Sequence, residues 1–174
     1  EQILEERQKI KTRVYATHEL SEQQQAQYYS HADYSMIHMA LAIPTTRSAQ
    51  EISKRYRIPI SRVEEVLEFL LASGMAITSG EKFKIGDVHL HLGSESPFVI
   101  QHHANWRLEA LRRMKPRDPR HLHYSGVYSL SRKDLALLRE NLLQVIQKNL
   151  DVVKPSAEEV TVCQLIDFIP LEEN

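Results

Sequence analysis

Cysteine is almost absent from this chain. Cys163 stands alone, which excludes an internal disulfide and suits a reducing cytoplasm. Glycine is scarce, with five residues, and there is no glycine-rich phosphate cradle, GxSxG elbow, HExxH pair or CxxC pair. Cys163 falls in a strand-like apolar run where thiols are buried and inert, so no catalytic constellation emerges. The expectation is a protein that is not an enzyme and holds no cofactor. No apolar run approaches the ~18–20 residues that a bilayer span requires, so no membrane partner is expected. The first residues, EQILEERQKIK, have no signal-peptide core. A charge excess is missing too: 22 Lys and Arg face 23 Asp and Glu. Attraction to nucleic acid must therefore come from local patches. The opening Glu1, without an initiator Met, points to a fragment or a processed form.

What is present is concentrated in residues 48–87, SAQEISKRYRIPISRVEEVLEFLLASGMAITSGEKFKIGD. Ser48 with Glu51, and Ser61 with Glu64, each read as a capping box opening a helix. Between them Arg57-Ile58-Pro59 breaks the chain, because the residue before proline is pushed out of the α region. Val63, Val66, Leu67, Leu70 and Leu71 form one apolar stripe at helical period. Ser73-Gly74 ends that helix, with Gly74 suited to a left-handed cap. Residues 75–78 and 82–85, joined by Ser79-Gly80, read as a hairpin. Helix, turn, helix, hairpin is the order of a winged helix-turn-helix, commonly used to bind DNA.

The charges complicate that use. A DNA-reading second helix presents basic and polar side chains to the groove, yet the outward positions here carry Arg62, Glu64, Glu65 and Glu68. Carboxylates are repelled by phosphates, whereas binding gains from Lys and Arg. Lys54, Arg55 and Arg57 close the first helix, and Lys82 and Lys84 sit on the wing. These five with Arg62 are the candidate DNA or anion contacts of this region. For residues 48–87 taken alone, a packing or protein-contact role is preferred.

The rest of the chain organises around this segment. Residues 1–27 form a helical lead-in, with Ser21 and Gln24 as a further cap. Residues 28–93 hold the winged unit, whose first helix, over 32–43, is buried against its core. Residues 94–174 carry a helix from Pro97 to about Met114, a linker over 115–120, and a strand over 123–130. Ser131 with Asp134 then opens a helix over 132–150, striped by Leu135, Leu138, Leu142, Val145, Ile146 and Leu150. Glu159 to Leu171 is the most strand-like run. Strand, helix, strand suggests a small β-α-β module with parallel strands. The fold class is therefore α+β, with a winged helix-turn-helix, a linker helix and this module. Two strands and a helix bury too little alone, so they pack on the 97–114 helix, on a second copy, or on both. Trp106 and Leu108 mark the expected homodimer interface.

Two side-chain groups remain. His89/His91 and His121/His123 share a face at strand spacing, and His102 and His103 are adjacent. Such pairs can bind Zn²⁺, but the ligand set for a closed site is incomplete, so no metal site is assigned. Arg107, Arg112, Arg113, Lys115, Arg117 and Arg120 form a basic patch. At the helix C-terminus these charges complement the dipole. An anion-binding surface with Arg112, Arg113 and Arg117 is the functional alternative, and pairing with Glu64, Glu65 and Glu68 of a second subunit is a third.

Tyr28-Tyr29-Ser30, the winged segment, Arg120 ahead of the first strand, Tyr124-Ser125 through Ser131, and the closing Phe168-Ile169-Pro170-Leu171 resemble one family over residues 20–171. It comprises bacterial transcriptional-regulator-like proteins whose C-terminal part is a domain of unknown function. The resemblance implies a helix-turn-helix domain ahead of this region, absent here, to which DNA reading belongs. The expectation is the C-terminal regulatory portion of a cytoplasmic regulator. It would be homodimeric, with DNA bound by the full-length protein and weakly or not at all by this chain. A protein-interaction adaptor and a small-ligand sensor are the alternatives.

Overall fold

The computed structural model describes residues 20–88, 92, 95–115 and 118–172. These residues carry six helices and one two-stranded antiparallel sheet, so the fold is mixed α+β and helix-dominated. The chain divides into two compact units, residues 1–105 and 106–174. The lead-in before Leu20, together with His89, His91, Gly93 and Arg117, lies outside the described residues.

In the first unit, α1 (Glu22–Tyr28) opens on the Ser21–Gln24 capping box. The second helix, α2 (Ala32–Ala40), stops three residues short of the expected end. Leu41, Ala42 and Ile43 instead donate to His38, Met39 and Ala40 in tight i→i−3 bonds, unwinding the chain ahead of Pro44. Thr46, 1% exposed, donates its hydroxyl to the Ala40 and Ile43 carbonyls. The Arg47 guanidinium reaches the Leu41 and Ala42 carbonyls. Together they satisfy the orphan acceptors of the α2 C-terminus.

Helix α3 (Ala49–Tyr56) starts on the Ser48–Glu51 capping box and ends on Arg57 in the left-handed conformation, φ 57°. Helix α4 (Ile60–Ala72) corrects one expectation, because Ser61 does not cap it. Pro59 takes the cap position with φ −52°, and its carbonyl accepts from Arg62 and Val63. The proline ring presets the dihedral that a helix start needs, which leaves Ser61 already inside the first turn. Gly74 closes α4 at φ 73°. The hairpin β1 (Ala76–Ser79) and β2 (Lys82–Ile85) pairs Ile77 with Lys84 and Thr78 with Phe83. Gly86 then donates to the Met75 carbonyl at 2.8 Å. A Cβ on Gly86 would lie 2.2 Å from the Gly74 oxygen, so only glycine permits this return.

Helix α4 packs on α2, α3 and β1. Ile37, Leu41, Ile52, Val63, Val66, Leu70 and Met75 are each at most 1% exposed and form the centre of the core. Each such side chain contributes about 1.5–3 kcal/mol by leaving water. Phe69, outside the expected stripe, is also buried, edge-on to Tyr34 at 5.2 Å. The start of α5 (Val99–Arg113) belongs to this unit. Phe98 stacks on Tyr29, His102 meets that ring edge-on at 5.2 Å, and Asn105 donates to the Tyr29 carbonyl at 2.8 Å.

The second unit holds the end of α5 and α6 (Arg132–Val153), the latter capped by Ser131 as expected. Here the expected β-α-β module is corrected. Neither 123–130 nor 159–171 forms a strand, and none of the unit's described residues is buried. Leu135, Leu142 and Leu150 on α6 are half-buried, while Leu138, Val145 and Ile146 are exposed. Cys163, expected within a buried strand, is exposed. The physical reason is the one that limits any pair of strands: a ladder with one covering helix lacks a second layer to bury its other face. Residues 159–171 are held to α6 by Asn149 donating to Gln164 and to α5 by the Arg107–Asp167 ion pair.

Candidate nucleic-acid and partner surfaces

Arg62 is the only basic residue on the outer face of α4, and its guanidinium is already engaged. Its Nε donates to Asp33 Oδ2 at 2.7 Å and its Nη2 to Oδ1 at 3.1 Å. Nη1 lies 2.7 Å from Glu65, and the guanidinium carbon sits 4.9 Å from the Tyr34 ring centre. A fork bound bidentately to one carboxylate and stacked on an aromatic ring is held by geometry as well as charge. Donation to the Asp33 carboxylate raises the Arg62 pKa further, so the charge is permanent and locally compensated. Glu64 and Glu68 remain exposed beside it. The face that would enter a DNA groove is therefore acidic.

The other candidates of this unit are exposed. Lys54 and Arg55 sit in the last turn of α3 and Arg57 at its cap, where cations suit the helix dipole. Arg55 also donates to the Thr45 hydroxyl at 3.2 Å. Lys82 and Lys84 share the outer face of β2, opposite Ser79 and Ile77, while Phe83 and Ile85 turn toward the core. Phe83 donates its N–H to the Arg47 carbonyl at 2.7 Å, fixing the hairpin to the segment that precedes α3. Hydrogen bonding with the Ser48 side chain holds the Glu51 carboxyl below its ordinary value, helped by backbone donors and the Lys82 charge. Thus the Lys82 charge is felt at the N-terminal turn of α3.

Buried polar groups lie behind α1 and α2. The Tyr28 hydroxyl and His38 Nδ1 are 3.2 Å apart, and both residues are buried. Burial raises the Tyr28 phenol and pushes the Tyr29 phenol up to about 12. Both rings stay neutral across the physiological range and act as packing groups, the Tyr28 hydroxyl being satisfied by His38. His102 is pulled below its ordinary value, first by burial against Tyr29 and then by the His103 charge.

In the second unit most of the basic patch is spent on local carboxylates. Arg107 pairs with Asp167, Arg112 and Arg113 with Glu109, and Arg120 with Asp118. Lys115 is exposed, and Arg117 lies outside the described residues. Of the expected dimer residues, Trp106 is half-buried and Leu108 is 53% exposed. His121 and His123 meet ring to ring at 5.9 Å on the surface. Among the described residues no group of three His, Cys, Asp or Glu is placed to hold a metal ion. Nor, among them, is any helix long and apolar enough to cross a membrane.

A family model described as a domain of unknown function, DUF4423, matches residues 11–171. The chain belongs to the DUF4423 family. The match spans both units of this DUF4423 chain, so both belong to the family's domain. No curated protein and no solved structure matches it. Sequence reasoning located the exposed basic residues of the DUF4423 chain but missed Asp33, Thr46 and Arg47. Asp33 and Arg62 are 29 positions apart, and only the packing of α2 on α4 brings them together. A signal for Thr46 and Arg47 did exist in their place between a broken helix end and a cap.

Proposed function

We propose that residues 28–88 are a winged helix-turn-helix unit, with α3 and α4 as the helix pair and the β1–β2 hairpin as the wing. In this reading the chain is the regulatory portion of a cytoplasmic bacterial transcriptional regulator. It has no catalytic role, and it works as a homodimer. DNA reading falls to another domain of the full-length protein, and α4 offers its acidic face to a protein partner. The observation that carries the reading is the engagement of Arg62 with Asp33 and Glu65, which leaves Glu64 and Glu68 to define that face. The bond from Phe83 to Arg47 supports the winged assignment, since it gives the hairpin a third backbone neighbour ahead of α3. The near-balance of charge adds to it, because phosphate binding draws on released counterions.

Fluorescence anisotropy of labelled duplex DNA, titrated with the 174-residue chain at about 50 and about 150 mM salt, tests this. The reading expects binding no tighter than about 1 μM at the higher salt and no preference among sequences, the range of non-specific association. Sequence-specific binding at nanomolar concentration would overturn it.

A further inference from the structure

The C-terminal unit contains two segments that are strand-like in sequence and unpaired among the described residues. Residues 122–130 and 162–169 make no backbone–backbone hydrogen bond with any described residue and pass without helix, turn or bend. In the first, Leu122, Tyr124, Tyr128 and Leu130 share one parity with Gly126, and His123, Ser125 and Ser129 share the other with Val127, close to the period of a strand covered on one face. In the second, Val162, Ile166 and Phe168 occupy one parity and Leu165 and Ile169 the other, the pattern of a strand covered on both. Yet Leu122 is 92% exposed and Val162 78%.

The uncovered area is large. Among its described residues Leu122, Tyr124, Val127, Val162 and Leu171 are each more than three-quarters exposed. A standard interface removes ~800 Å² from each partner, and these side chains with the exposed α6 stripe offer apolar surface of that order. Ordering each backbone residue costs ~1–2 kcal/mol, and a unit with no buried residue has little to offset it. The cover must then be present whenever the unit is folded. A second copy of the chain brings the same two strand-like segments. A two-fold axis lets each protomer's unpaired N–H and C=O groups meet an extended segment of similar length.

We infer that a second copy of this chain completes the C-terminal unit. Residues 122–130 and 162–169 of both protomers enter one shared β-sheet, and the Leu138, Val145 and Ile146 stripes of the two α6 helices cover it. The inference rests on the homodimer of the proposed function and names the segments that build it.

The test uses the full chain at micromolar concentration, with three readings. Light scattering is expected to give twice the 20.2 kDa chain mass. Hydrogen exchange is expected to show on the order of 100-fold protection of amides in both segments. An equimolar mixture of isotope-labelled and unlabelled chain is expected to show cross-strand contacts between differently labelled protomers. Val162→Pro removes one ladder donor and should shift the mass toward a single chain, while protection of α4 amides shows that the first unit still folds. A monomer with protected 162–169 amides would overturn the inference, because the strands then pair within one chain. A dimer with unprotected segments, or one unaffected by Val162→Pro, would overturn the shared sheet while leaving the homodimer standing. A monomer would overturn the homodimer along with the shared sheet, a dimer with unprotected segments would overturn the sheet alone, and the DNA titration tests the acidic-face reading independently of both.

Discussion

Arg62 sets how the outer face of α4 presents itself to a partner. Its fork is held by Asp33 and its plane by Tyr34, both from α2. Removing it with Arg62→Ala should destabilise the first unit by about 1–2 kcal/mol, the range for a partly exposed charge-assisted pair with an aromatic neighbour. Urea unfolding measures that loss, and DNA affinity should not change. Arg62 was legible as an exposed cation of a recognition helix, but its partner was not, since nothing local links positions 33 and 62. His102 gives a second test at this scale. Burial holds its folded pKa below the ordinary 6.5, so between those two values the unfolded chain binds more protons. Its contribution is full above about pH 6.5 and is lost as pH falls through the folded value. The urea midpoint should therefore drop as pH is lowered from 7.5 to 5.5, and His102→Asn should flatten part of that slope. A midpoint unchanged by the variant at every pH would contradict the assignment.

Elements of the first unit follow from local signals wherever caps and stripes act alone. Ser21 and Ser48 cap the helices they precede, as Ser131 does in the second unit, Gly74 terminates α4, and the Val63–Leu70 stripe is buried. The two sites that read alike, Ser48-x-x-Glu51 and Ser61-x-x-Glu64, behave differently because Pro59 starts α4 before Ser61 can cap it. Ser48→Ala should cost about 1 kcal/mol, while Ser61→Ala, within the first turn, should stay within ~0.5 kcal/mol. Equal losses in thermal unfolding would show that Ser61 caps after all. The strands of the second unit were legible as pattern but not as structure. A strand is completed by its neighbour, and the neighbour is not encoded at the same place in the chain. The hairpin succeeded where they did not because its partner is three residues away and Gly80 supplies the turn.

At the scale of the molecule, a well-packed first unit contrasts with a second unit that exposes its apolar stripe. The helix pair, the hairpin and the acidic α4 face were all readable from residues 48–87. The absence of a closed β-α-β module was not, because composition says how much apolar surface exists and not what covers it. Charges placed on the stripe, Leu138→Asp with Ile146→Asp, should lower self-association by at least about tenfold, since burying two unpaired carboxylates in an apolar interface is costly. The most direct test is the mass of the unmodified chain by light scattering through a dilution series from about 100 to about 1 μM. The account predicts a species of twice 20.2 kDa that gives way to single chains only as dilution exposes the C-terminal unit. A constant mass of one chain at every concentration, with the 162–169 amides slow to exchange, would contradict it.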